Sequence, residues 1–326
     1  MSEMIALDRL SKAFGDLVAV DNVSLSVARG EVLGFLGPNG AGKSTTMKMI
    51  AGFLEPSSGN AMVSGFDVVA SPVDVKKRIG YLPEGAPTYG DMTPRRFLDF
   101  IAQVRGFDGA ERSRRVDEVV EKVILGEVMS QPIETLSKGF KRRVGLAQSM
   151  LHDPEVLILD EPTDGLDPNQ KHHVRGLIQD MAHDKAIIVS THILEEVEAV
   201  CSRAVIIAHG KILADGTPDE LIARARNHNA VVVGVTSSGA DKAAKTAVAV
   251  DGVETVETLS STNGIDRLRI LPKAGAAIVL SVGDAMKAAD VDIREIFVEK
   301  GALDDVFRDV TMGGDGGQKG GENEHA

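Results

Sequence analysis

Tryptophan is absent from the 326 residues, cysteine occurs once, and aromatic residues make up 4%. The single cysteine, Cys201, excludes an internal disulfide. With no zinc-ligand spacing around it, a reducing compartment and plain helix packing are expected. Cations are also in deficit: 36 Lys and Arg stand against 48 Asp and Glu, a formal net charge of -12. That balance argues against a general nucleic-acid surface, so no nucleic-acid partner is expected. Long apolar runs are missing as well. No stretch approaches the roughly 18 apolar residues of a membrane span. Met1 to Asp8 has neither the basic start nor the apolar core of a leader. Any link to a membrane is therefore expected to run through another protein. The length allows about two domains.

What is present is a glycine-rich loop. Gly37, Pro38, Asn39, Gly40, Ala41, Gly42, Lys43, Ser44 and Thr45 fill every fixed position of Gly-x-x-x-x-Gly-Lys-Ser/Thr. The run Glu31-Val32-Leu33-Gly34-Phe35-Leu36 predicts a buried strand before the loop, and Ser44 to Ile50 predicts a helix after it. The glycines let backbone N–H groups approach phosphate oxygens, and the helix turns its positive dipole end toward them. Lys43 supplies a point charge for β- and γ-phosphates, and the Ser44 hydroxyl can ligate Mg²⁺. The pattern is that of a nucleoside triphosphate site.

Upstream, Ile5 to Leu10 and Val23 to Val27 read as strands around a Gly15-Asp16 turn. Phe14 stands in the loop region between them; an aromatic there can stack on a purine or plug a core, and the pattern leaves both open. Downstream, Ala61 to Val63 is a short strand, Val73 to Arg78 a short helix, and Ile79 to Glu84 a strand ending in a carboxylate. From Thr93 to about Gln131 the pattern is helical. Thr93 is a good cap, Pro94 suits the first position, and Phe97, Phe100, Ile101 and Val104 share one face. Residues of about 85–152 thus read as a helical subdomain inserted in an α/β domain. Ser137 caps the last helix of that block, with Val144, Ala147 and Leu151 on its inner face. Lys138, Lys141, Arg142 and Arg143 crowd its first turns against the macrodipole, so a bound anion is expected to relieve the conflict.

Val156-Leu157-Ile158-Leu159-Asp160-Glu161 is what a strand buried on both faces of a parallel sheet requires. At its end Asp160 can hold Mg²⁺ directly or through water, and Glu161 can point at the water that attacks the γ-phosphate. Ala186 to Ser190 is a second such strand and delivers Thr191-His192 to the same sheet edge. A lone histidine there is more often structural or solvated than catalytic. A helix over Ile193 to Cys201, a strand over Ala204 to Ala208, a hairpin into Ile212 to Ala214 and a helix from Pro218 to about Ala225 complete the domain.

In order and spacing these segments resemble the ATP-binding subunit of an ABC transporter over residues 1–225. The phosphate loop and the Val156 to Glu161 strand are similar to the Walker A and Walker B elements. Leu136-Ser137-Lys138-Gly139-Phe140 stands where the family has its signature, Thr163 to Asp167 resembles the D-loop, and His192 the switch histidine. The resemblance implies an α/β P-loop NTPase fold with a mixed sheet, ATP and Mg²⁺ as cofactors, and hydrolysis carried by Lys43, Glu161 and His192. It implies Phe14 stacked on adenine and Ser44, Glu84 and Asp160 around Mg²⁺. It further implies two copies, a homodimer or pseudo-dimer, facing head to tail, with Ser137, Lys138, Gly139 and Asp167 of one meeting the ATP of the other. Closure of that dimer would drive a separate membrane-spanning permease, so the expected place is cytoplasmic, peripheral on the inner face of the cell membrane. Three positions depart from the pattern: Glu84 replaces the usual Q-loop glutamine, Lys138 and Phe140 replace Gly and Gln of the signature, and Asp164 stands where Ser is frequent. Tyr81-Leu82-Pro83-Glu84 with Leu-Ser-Lys-Gly-Phe most resembles type-2 ABC export ATPases of the gliding-motility and multidrug kind. The alternative is a soluble non-transport ABC ATPase acting mechanically on a macromolecular complex. One cassette, no sustained heptads and an acidic balance oppose it.

Residues 230–311 read as a separate small α+β domain. Strands at Ala230 to Val235, Val253 to Leu259, Ile265 to Leu271 and Val291 to Val298, with helices at Ala240 to Val250 and Ala276 to Ala289, give the order βαββαβ. That suits a ferredoxin-like module with a final helix over Leu303 to Val310. Lacking clustered acids, histidines or cysteines, it is expected to stabilise a dimer or regulate it. Residues 312–326, Gly-rich and polar, are expected to be disordered.

Overall fold

The computed structural model describes residues 3–85, 88–262 and 264–312. The expected tail lies, from Gly313 on, outside the described residues. The chain forms two compact units that divide between Thr217 and Pro218.

The first unit opens with an antiparallel hairpin, β1 (Glu3–Phe14) and β2 (Leu17–Ala28). Both strands outrun their apolar clusters because ladder pairing continues past the last buried side chain to Phe14 and Leu17. β3 (Val32–Leu36) leads into the phosphate loop and α1 (Lys43–Ile50). Next come β4 (Ser58–Val63), β5 (Phe66–Asp67), α2 (Pro72–Arg78) and β6 (Ile79–Leu82). The helical block holds α3 (Pro94–Val104), α4 (Gly109–Lys122) and α5 (Lys138–Met150). The chain then returns through β7 (Val156–Asp160), α6 (Pro168–Ala182), β8 (Ala186–Thr191), α7 (Leu194–Val200), β9 (Arg203–Ala208) and β10 (Lys211–Gly216).

These strands make two sheets. One is antiparallel in the order β2-β1-β4-β5; the other is β10-β9-β3-β8-β7-β6, parallel except for β10. Every residue of β3, β7 and β8 is buried, as their unbroken apolar runs require. One core joins the sheets: Ile5, Leu10 and Val27 from the first meet Phe35, Ile158 and Ile188 from the second, with Met47 and Ile50 of α1 among them. The parallel strands all point their C-terminal ends to one edge, where open α/β sheets collect their ligands.

Two expectations change. β6 stops at Leu82, so Glu84 sits in a turn rather than at a strand end; Pro83 has no N–H to continue a ladder. The α3 stripe is split as well. Phe97 is buried with Leu98 and Ala102, whereas Phe100 and Val104 are exposed, Val104 by 68%.

The second unit contains α8 (Pro218–Ile222), β11 (Ala230–Thr236), α9 (Ala240–Val248), β12 (Val253–Thr262), β13 (Ile265–Pro272), α10 (Val279–Ala288), β14 (Ile293–Glu299) and α11 (Leu303–Met312). Its sheet runs β12-β13-β11-β14, antiparallel throughout. β13 lies between β11 and β12, the split β-α-β arrangement of a ferredoxin-like fold. Val231, Val233 and Val235 pack on Ala243, Ala247, Val282 and Met286 of the two helices. The helix from Pro218, expected to close the first domain, belongs to this unit and packs against α11. There Asn227 donates to Asp305 at 2.9 Å.

Candidate active site

The phosphate loop is shaped by its own backbone. Gly42 has a φ of 106°, and a Cβ on it would stand 2.5 Å from the Ala19 carbonyl oxygen, so no other residue fits. The loop after β9 braces it from below, Gly210 N–H donating to Ala41 O at 3.0 Å. Lys43 is buried and folds back, its Nζ donating to Gly37 O at 2.6 Å and Pro38 O at 3.1 Å. Burial lowers its pKa, opposed by the carboxylates of Glu161, Asp160 and Glu84. Ser44 and Thr45 begin α1 beside it.

β7 carries Asp160 and Glu161 to the same place. Asp160 accepts a short hydrogen bond from Ser190 on Oδ1, and its Oδ2 is buried without a partner. A buried carboxylate oxygen left unpaired is costly, and a cation is what such an oxygen lacks. Glu161 occupies left-handed backbone, φ 53°, which its neighbours over-determine. Its N–H donates to Ser190 O at 3.1 Å, and its carbonyl receives Arg142 Nε at 2.9 Å and Nη2 at 2.5 Å. Burial raises the Glu161 pKa, partly offset by His192, whose Nδ1 lies 2.9 Å from Glu161 Oε1.

A cavity of about 410 Å³ brings these parts together. Asn39 to Thr45 line it together with Asp160, Glu161, Glu84, Phe14 and Leu17. Phe14 is 49% exposed, which removes the reading of it as a core plug. His192 reaches the cavity through Glu161. Ser137, Lys138, Gly139 and Asp167 do not line it. Ser137 caps α5, accepting from Phe140 N–H at 3.3 Å, and Asp167 caps α6, accepting from Gln170 N–H at 3.0 Å.

The cations at the start of α5 are each engaged within the chain. Arg142 ties Glu161 O to Pro83 O, and Arg143 donates to Ile124 O and stacks on Phe140. Lys141 donates to Glu134 O, and Lys138 pairs with Asp164 at 2.7 Å. All four find hydrogen-bond partners within the chain, but only Lys138 meets a carboxylate; the carbonyls leave the other three charges in place at the helix start. Arg142 and Ser190 brace Glu161 and Asp160, contacts that the sequence does not announce because the partners lie 19 and 30 positions away.

A phosphate loop, an Asp-Glu pair and a histidine gathered at one edge of a parallel sheet define a P-loop ATPase. An ABC transporter family model matches residues 20–164. The Daunorubicin resistance ATP-binding protein DrrA3 of Streptomyces coeruleorubidus is 34% identical over 312 residues, 94% of this chain and 95% of that protein. The Probable multidrug ABC transporter ATP-binding protein YbhF of Escherichia coli (strain K12) is 38% identical over 228 residues, 69% of this chain but 39% of its own length. A solved structure titled "Structure of ATP binding subunit of ABC transporter" shares 32% identity with a TM-score of 0.63, covering 67% of this chain and 91% of that one. The chain belongs to the ABC transporter family, among its ATP-binding proteins.

Proposed function

We propose that this chain hydrolyses ATP to power export through a separate membrane-spanning subunit. The observation that carries the proposal is the convergence of the phosphate loop, Glu84, Asp160 and Glu161 on one cavity. Lys43 exchanges the Gly37 and Pro38 carbonyls for phosphate oxygens when ATP enters, and Phe14 stacks on the base. The donor set fits a magnesium ion held by Ser44, Asp160 and Glu84, the unpaired Asp160 Oδ2 being the clearest sign. Such an ion supplies charge neutralisation on the phosphates. Glu161 orients the attacking water and takes its proton, a role suited to a carboxylate whose pKa burial raises. His192 holds that carboxylate in place and approaches the γ-phosphate.

The start of α5, which does not line this cavity, serves a second copy on this reading. In the head-to-tail pair Ser137, Lys138 and Gly139 cover the partner's ATP and Asp167 crosses the contact. The resistance and multidrug names of the relatives favour export as the direction. An apolar groove of about 940 Å³, lined by Phe53, Val73, Tyr89, Phe97, Ile101 and Val104, opens beside Pro83. It suits an amphipathic helix of the membrane subunit. Among the described residues no helix is long and apolar enough to cross a membrane; on this reading the chain is held at the inner membrane face by its partner. The second unit stabilises or regulates the pair.

Glu161→Gln tests this reading. Turnover is expected to fall by about 10²-fold or more with ATP binding retained, and a multi-span membrane protein should co-purify from solubilised membranes with ATP present. Near-normal hydrolysis removes Glu161 as the base; ribosomes or other soluble assemblies in place of a membrane protein move the function to a mechanical ATPase.

A further inference from the structure

Glu161 and His192 follow the ends of two different strands, and their 2.9 Å contact needs something to fix one against the other. Two residues past Glu161 stands Thr163, and immediately before His192 stands Thr191. Both are buried, and both give their hydroxyl protons to one carboxylate. Thr163 Oγ1 donates to Glu196 Oε1 at 2.5 Å, and Thr191 Oγ1 donates to Glu196 Oε2 at 3.1 Å. Glu196, on α7, is itself 4% exposed. The Thr191 hydroxyl also accepts from Ile193 N–H at 3.0 Å, so His192 is gripped on both sides. Lys171 and Arg175 of α6 lie 3.6 and 3.7 Å from Glu196 Oε1 and balance its charge.

We propose that Glu196 is a positioning residue for hydrolysis: its buried carboxylate ties the loop after Glu161 to the strand end before His192. The proposal rests on the assignment of Glu161 and His192 to hydrolysis given above. A carboxylate suits the task because it offers two acceptor oxygens on one rigid plane, one for each threonine. Its burial keeps water from competing for either bond. Without the tie, β7 and β8 remain paired, but the loop and the histidine can drift separately. A displacement near an ångström at reacting groups costs turnover far more than binding.

Thr163→Val with Thr191→Val removes both bonds while leaving the Glu196 charge and its cations in place. In the full chain this double variant should lose roughly 10- to 100-fold in kcat. ATP affinity, measured in the Glu161→Gln background, should change by less than about threefold. Thr163→Val alone keeps one bond and should lose less. Glu196→Gln, which retains one acceptor oxygen, should lie above Glu196→Ala in kcat. Once His192 is replaced by Ala, adding the two valines should lower kcat little further, because both changes remove one effect. Normal turnover of the double variant beside an inactive Glu161→Gln overturns this proposal alone. Parallel loss of affinity and kcat, or full additivity with His192→Ala, also overturns it by marking the bonds as merely structural. Near-normal turnover of Glu161→Gln removes the underlying assignment and this proposal with it.

Discussion

His152, just beyond α5, places Nε2 3.0 Å from the Ile79 carbonyl and buries Nδ1 without a partner. Burial first, and the Arg105 charge second, bring its pKa down from 6.5 to about 4. The folded state therefore binds the proton less readily than the unfolded chain. The resulting stability is complete above 6.5 and drains away as pH falls to about 4. Urea unfolding at a series of pH values should show the wild type losing stability across that window and His152→Gln losing less. At neutral pH the variant should be weaker by about 1 kcal/mol for the altered hydrogen bond. At this scale the sequence speaks unevenly. Lys43, Ser44, Asp160 and Glu161 are legible because loop and strand signals are local. Arg142, Ser190 and Glu196 are not, because each acts through a partner that only the folded sheet brings near. Serine, threonine and glutamate in such places look like ordinary turn and helix residues.

Among the elements, β3, β7 and β8 were legible from unbroken apolar runs, since burial on both faces leaves no alternation to misread. Less visible was how α3 divides its apolar residues between the core and a groove, because one stripe on a helix can serve two surfaces. The cations of α5 show the same limit: their crowding is plain in the sequence, whereas their partners, the Glu134, Glu161 and Ile124 carbonyls and the Asp164 carboxylate, are set by the fold. The phosphate loop yields the sharpest prediction. Gly42→Ala places a Cβ against the Ala19 carbonyl and strains φ, a cost of about 1–3 kcal/mol. Thermal unfolding should show a lower Tm, and the rise normally produced by ATP should shrink or vanish. An undiminished ATP-induced rise would show that the loop tolerates a side chain there.

Taken whole, the chain divides where composition gives little warning. Pro218 to Ala225 follows the last strand of one unit without a glycine-rich linker, so a sequence reading attaches it backward, whereas its packing on α11 attaches it forward. The βαββαβ order was readable because each apolar segment is short and separated by turn residues; the strand order needed coordinates. The pairing of two copies can be followed by light scattering of Glu161→Gln with Mg²⁺ and ATP, which should double the mass. The overall charge of the chain bears on how that pairing responds to salt. Of the four cations at the start of α5 only Lys138 is matched by a carboxylate; Lys141, Arg142 and Arg143 bond neutral carbonyls and keep their charge, a local patch on an otherwise acidic chain. Each copy carries a net charge of -12. The long-range force between them is then repulsive, and ions that shorten its reach to about 8 Å at physiological strength ease the encounter. Added salt should quicken the ATP-dependent mass increase; a slowing would mean that opposite charges draw the copies together.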